Sequence, residues 1–114
     1  MADTTLVVWW GSSIECESAI QRRFRDGSLN TAGARFARDQ LSVLSSAWHE
    51  LLPSAAIRTL AIRLLRTHPL RAADSLQLAA ALFFAQESRS SVSLLTADSR
   101  LADAAEIEGL CVLR

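Results

Sequence analysis

The stretch Leu6-Val7-Val8-Trp9-Trp10-Gly11-Ser12-Ser13-Ile14-Glu15 contains a strand, a turn and the start of a helix. The β-branched and aromatic run is continuous and short, as in a buried strand. Gly11 ends it. Ser12 and Glu15 then have the S-x-x-E spacing of a capping box, which predicts a helix over 12–25, stopped by Asp26-Gly27. Working outward, the same alternation recurs. Helical periodicity through Phe36, Leu41 and Leu44 predicts a helix over 32–47. Residues 48–52 have the pattern of a short strand ended by Pro53. Ser54 caps a helix that carries Ile57, Leu60, Ala61, Leu64 and Leu65 and breaks at His68-Pro69. The most apolar helix is expected over 71–86, with Ala72, Leu76, Ala79, Ala80 and Phe83 inside. A polar loop over 88–91, a strand over 92–96, a helix over 99–107 and a last strand over 110–113 complete the pattern. Strands alternating with helices predict a parallel sheet covered on both faces, in a single α/β domain spanning 1–114.

Composition narrows the function. The chain has 114 residues, half of them apolar, which is enough for one domain with a core. Twelve basic residues balance twelve acidic ones, so no whole-chain field favours nucleic acid. Every basic residue is Arg. Guanidinium forks suit phosphates, although GC-rich coding would produce the same bias. Cys16 and Cys111 lie in apolar stretches without a C-x-x-C spacing, which predicts buried free thiols and a reducing compartment. Met1-Ala2-Asp3 does not open like a signal peptide, and no run approaches the ~18 apolar residues of a membrane span. A cytoplasmic protein with no membrane contact is expected.

Three acids draw attention. In open α/β sheets, ligands bind beyond the carboxyl ends of the strands. Glu15 follows the first strand, and Asp98 follows Thr96 at the end of the 92–96 strand. Asp74 falls in the first turns of the most apolar helix, where an unpaired carboxylate is costly. Three carboxylates converging from separate segments would suit a hard divalent cation, Mg²⁺ or Mn²⁺. Each also has a structural explanation. Glu15 would close the capping box, Asp98 would cap its helix, and Asp74 would answer Arg71 or the helix dipole. Glu17 is expected in solvent. The arginines Arg22, Arg23, Arg25, Arg35 and Arg38 form either a solvated face or a contact for a phosphate backbone. Trp9 and Trp10 have the pattern of core residues. His49 and His68 are isolated, with no nucleophile nearby in sequence.

Taken in order, three segments resemble PIN-domain proteins of the VapC toxin type. Val8-Trp9-Trp10-Gly11-Ser12-Ser13-Ile14-Glu15-Cys16-Glu17-Ser18-Ala19-Ile20 looks like that family's second-acid segment. His68-Pro69-Leu70-Arg71-Ala72-Ala73-Asp74-Ser75-Leu76-Gln77-Leu78-Ala79-Ala80-Ala81 looks like its third-acid helix, and this is the most specific of the three. Leu94-Leu95-Thr96-Ala97-Asp98-Ser99-Arg100-Leu101-Ala102-Asp103-Ala104-Ala105 looks like its fourth-acid segment. The resemblance runs from about Leu6 to the end of the chain. It implies a three-layer α/β/α fold and a Mg²⁺- or Mn²⁺-dependent ribonuclease, a hydrolase of RNA phosphodiesters. Glu15, Asp74 and Asp98 would be its catalytic and metal-holding acids, with Thr96 arranging the site. It further implies a homodimer and a cognate antitoxin partner.

The chain also departs from that pattern. The family opens with a strand ending in Asp, usually within leucine-aspartate-threonine-serine. Asp3 stands too close to the Leu6 strand to fill that role, since a βαβ unit needs ~30 residues. The expectation is therefore an N-terminally truncated PIN-like domain that lacks its first central strand and has impaired activity. The strands at Leu6 and Val92 would then pair directly, be joined by another chain, or await a segment upstream. The alternative is a non-catalytic remnant that dimerises or binds an antitoxin-like partner. A receiver-like phosphorylation domain is disfavoured because the chain has no Lys.

Overall fold

A computed structural model describes residues 6–89 and 92–113. Asp3 and the tip of the 88–91 loop lie outside the described residues. The order is β1 (Val7–Trp9), α1 (Ser12–Arg25), α2 (Thr31–Ser45), β2 (His49–Leu51), α3 (Ala55–Thr67), α4 (Ala72–Ser88), β3 (Ser93–Leu95), α5 (Ser99–Ile107) and β4 (Cys111–Leu113). The protein is thus α/β, mostly helical, with short strands. Among the described residues the strands form two two-stranded sheets, β1 with β2 and β3 with β4. No helix of the described residues is long and apolar enough to cross a membrane.

The chain divides into two compact units, Met1–Glu50 and Leu51–Arg114. In the first, the His49 amide donates to the Leu6 carbonyl at 2.8 Å and so begins the pairing of β2 with β1. Helix α2 starts at Asn30, whose side chain accepts from the Gly33 amide at 2.7 Å. Helices α1 and α2 pack on each other, yet α1 buries no residue and α2 buries Ala34 alone. Phe36 and Leu44, expected to face a core, are exposed, and Val43 is 69% exposed. Trp10 is also largely exposed, with its ring edge-on to Trp9 at 6.4 Å. The helical spacing was legible in this unit. The burial was not, because small and polar neighbours leave the apolar stripe uncovered.

The second unit contains nearly all the core. Ile57, Ala61 and Leu64 of α3 are buried, as are Leu78, Ala79 and Ala80 of α4. These two helices pack against each other. Alanines on the facing sides keep the helices close, since helix spacing follows the side chains at the contact. Ser54 caps α3 by accepting from the Ile57 amide at 3.2 Å. Helix α5 adds Leu101, Ala102, Ala104 and Ala105 to the same core. Strands β3 and β4 run parallel, with Leu94 opposite Val112 and Leu95 opposite Leu113. Leu94 is buried, whereas Leu95 and Leu113 are exposed, so one face of this pair is covered.

Several local expectations need correcting. Ala72 is exposed because α4 begins there, before the helix meets its neighbours. Leu65 is 41% exposed, lying off the stripe of Ile57, Ala61 and Leu64. Helix α4 runs on through Ser88 and ends at Arg89, which takes the left-handed conformation. Cys111 is exposed on β4, while Cys16 is half-buried; both are free thiols.

Leu64 and Leu78 are fully buried. Leu78→Ala should destabilise the second unit by about 2–5 kcal/mol, the range for emptying a packed leucine site. Urea denaturation followed by far-UV circular dichroism measures it. A loss below about 1 kcal/mol would contradict tight packing between α3 and α4.

Candidate functional site

Glu15 is placed by its immediate neighbours. The Trp9 ring folds back over Gly11. A methyl group at Gly11 would stand 2.1 Å from an indole carbon, so only glycine fits. The Trp9 Nε1–H donates to Glu15 Oε2 at 3.3 Å. This geometry corrects the capping box. Gly11 occupies the cap position and makes no side-chain cap, Ser12 is already helical, and the Glu15 carboxylate is engaged by the indole. The Glu15 amide meanwhile donates to the Gly11 carbonyl at 3.1 Å. Next to Glu15, the Cys16 thiol is pushed above its ordinary pKa by burial and then by the Glu15 charge. Cys16 is therefore a poor nucleophile.

Asp74 lies in the first turn of α4, whose cap residue Arg71 offers no side-chain cap. Its side chain is half-buried. Among the described residues its carboxylate accepts no hydrogen bond and forms no ion pair, so Arg71 is not its counter-ion. The partly positive start of the helix favours its charge. Behind it, Ser75 is buried and returns its hydroxyl to the Ala72 carbonyl at 2.8 Å.

Asp98 is the cap of α5. One carboxylate oxygen, Oδ1, accepts from the Arg100 amide at 2.9 Å and the Leu101 amide at 3.2 Å. Thr96 fixes the turn before it. Its hydroxyl accepts from the Asp98 amide at 3.0 Å, and its own amide donates to Leu113 of β4 at 3.1 Å. Thr96 thereby links the end of the strand pair to the acid. Oδ2 makes no hydrogen bond among the described residues.

Glu15 belongs to the first unit, and Asp74 and Asp98 to the second. Among the described residues, no group of three or more His, Cys, Asp or Glu side chains stands ready to hold a metal ion. The donor chemistry nevertheless suits a hard cation, because among the described residues each of the three carboxylates keeps at least one oxygen uncommitted.

The basic face is also resolved. Arg22, Arg23 and Arg25 are exposed in the last turn of α1, where cations complement the helix dipole. Arg38 instead pairs with Glu17 at 3.2 Å, and Gln21 also donates to Glu17 at 2.8 Å. Glu17 is therefore engaged rather than simply solvated. The Gln21 bond, then Arg38, lowers its pKa.

A second cluster carries no sequence motif. Arg63 Nη2 meets Glu108 Oε1 at 2.9 Å, and His68 Nε2 lies 2.7 Å from Glu108 Oε2. Glu108 stands 45 residues from Arg63 and 40 from His68 in the chain. No local spacing could have revealed them. Glu108 is held below the usual carboxylate range by Arg63 and then His68.

No protein-family model, curated protein or solved structure matches the chain.

Asp98→Ala should cost about 1 kcal/mol, because two helix-start amides lose their acceptor. Asp98→Asn should retain most of that, since an amide oxygen caps as well. Thermal melts of both variants test this. Equal losses for the two would mean the charge, not the cap, is what Asp98 contributes.

Proposed function

We propose that the chain is a PIN-like, VapC-type domain of three-layer α/β/α design, and that it acts as a metal-dependent ribonuclease. The observation that carries this reading is Asp74. A half-buried carboxylate without a hydrogen-bond or ion-pair partner among the described residues sits at the start of the most apolar helix, within the segment that most resembles the family. Such a group is open to a cation. Glu15, Asp74 and Asp98 would hold Mg²⁺ or Mn²⁺. The bound ion would supply an activated water and stabilise charge on the phosphoryl group under attack.

The chain's own residues have defined parts in this reading. The Trp9 indole restrains Glu15. The cap and the Thr96 hydroxyl fix Asp98 while leaving Oδ2 for a ligand. Arg22, Arg23 and Arg25 would meet RNA phosphates, as guanidinium forks do.

A second reading is favoured by one feature of the first unit. Phe36, Val43 and Leu44 expose a large apolar surface on α2, of the kind that marks protein contacts. On this view the chain is a non-catalytic module that dimerises or binds an antitoxin-like partner.

Incubating the purified protein with RNA and Mn²⁺ distinguishes the two. The ribonuclease reading predicts cleavage that EDTA stops and that Asp74→Asn lowers by about 100-fold or more, with the circular dichroism spectrum unchanged. Absence of Mn²⁺-dependent cleavage in a folded preparation, or cleavage indifferent to Asp74→Asn, would overturn it.

A further inference from the structure

The Arg63–Glu108–His68 cluster lies outside the proposed site and is anchored at both ends by the fold. His68 caps the C-terminus of α3, and its amide donates to the Leu64 carbonyl at 2.9 Å. Glu108 caps the C-terminus of α5. Just beyond it, Gly109 adopts φ +97°, a left-handed turn that glycine makes without strain. That turn lets Gly109 donate to Glu106 and Leu110 donate to Ala105, the paired bonds of a Schellman end. Glu108 is therefore held in place by the backbone around it. Its side chain engages two residues: Arg63 donates to both carboxylate oxygens, at 2.9 and 3.5 Å, and His68 meets Oε2 at 2.7 Å.

The corner from His68 to Arg71 is joined to α4 by the Ser75 amide, which donates to the Arg71 carbonyl at 2.9 Å, and its Leu70 is half-buried. Pro69 has no amide proton. Leu70 bonds only back to the His68 carbonyl, at 2.9 Å, among the described residues. Arg71 gives α4 no side-chain cap. The His68 ring, 6% exposed, also ties the corner to the rest of the unit, and Glu108, 15% exposed, is its partner.

We propose that Glu108 works as an acid-released latch on the α3–α4 corner. With Glu108 ionised, Arg63 and His68 are drawn to it and residues 68–71 are closed. With Glu108 protonated, the corner opens locally while α3 and α4 stay packed through their buried residues. The charges that act on Glu108 are those of Arg63 and His68. Helix α4 contributes Asp74 and Glu87, and β4 contributes Cys111, but none of these acts on it. Because the folded pKa of Glu108 is lowered, its contribution is complete above the ordinary carboxylate range. It is lost as the pH falls through the lowered folded value. The latch does not depend on the ribonuclease reading, although the corner it closes leads into the turn that carries Asp74.

Amide hydrogen exchange resolved by NMR tests the proposal on the full chain. Glu108→Gln at neutral pH should speed exchange at His68 and Leu70 about tenfold, the scale of one charge-assisted hydrogen bond. The amides of Leu78, Ala79 and Ala80 should keep their protection. Acidifying the wild type should lower protection at the same two amides, and acidifying Glu108→Gln should add nothing there. Arg63→Met, which removes only the exposed arm, should give a weaker version of the pattern, and it decides the matter if Glu108→Gln does not fold. Unchanged protection at His68 and Leu70, or equal loss across the whole second unit, would overturn the latch.

Discussion

The close packing of α3 on α4 is the constraint from which the rest of the second unit follows. Ala61, Leu64, Leu78 and Ala79 are almost fully excluded from water, and burial of this kind is the main favourable term in folding. Small side chains at the contact leave no freedom to slide without opening voids. The start of α4 is then fixed in height along α3. Asp74, in the first turn of α4, inherits a set position although nothing among the described residues bonds its carboxylate. The same packing brings the end of α3 within reach of α5, which is what allows His68 and Arg63 to meet Glu108.

The first unit is organised differently. Among its described residues Ala34 is the one buried hydrophobic residue, so hydrophobic burial does little to place its functional groups. Polar and aromatic contacts between near neighbours take over. The Trp9 indole closes on Gly11 and restrains Glu15. Arg38 and Glu17 join α2 to α1. Exposed ion pairs of this type contribute little net stability, and the apolar residues left on the surface of α2 are consistent with a partner that completes the burial.

Element type was legible because both kinds of period are strong here. The turn chemistry at Ser54, Pro69 and Gly109 marks boundaries with a physical cause, and helix α5 begins and ends where its capping residues predict. Candidate acids were legible as single residues too. Asp98 proves to be a cap and a free oxygen at once, so the capping and ligand roles need not compete. The S-x-x-E spacing at Ser12 misled because Gly11 and the Trp9 ring claim the helix start before Ser12 can. Exposure was the least legible property. Phe36 and Leu44 have core-like spacing, but nothing among the described residues of the first unit covers them. The Arg63–Glu108–His68 cluster was hidden for a different reason. It joins residues distant in sequence, and only the packing of the second unit brings them together.

The proposed ribonuclease reading requires Glu15, Asp74 and Asp98 to bind a divalent ion. Titrating the ¹⁵N-labelled protein with Mn²⁺ tests this most directly, because the paramagnetic ion broadens amide signals near its site. The account predicts that broadening begins together, at substoichiometric Mn²⁺, in residues 11–16, 72–76 and 96–100. Broadening confined to one of these segments, or spread over unrelated acids such as Asp26 and Glu87, would contradict it.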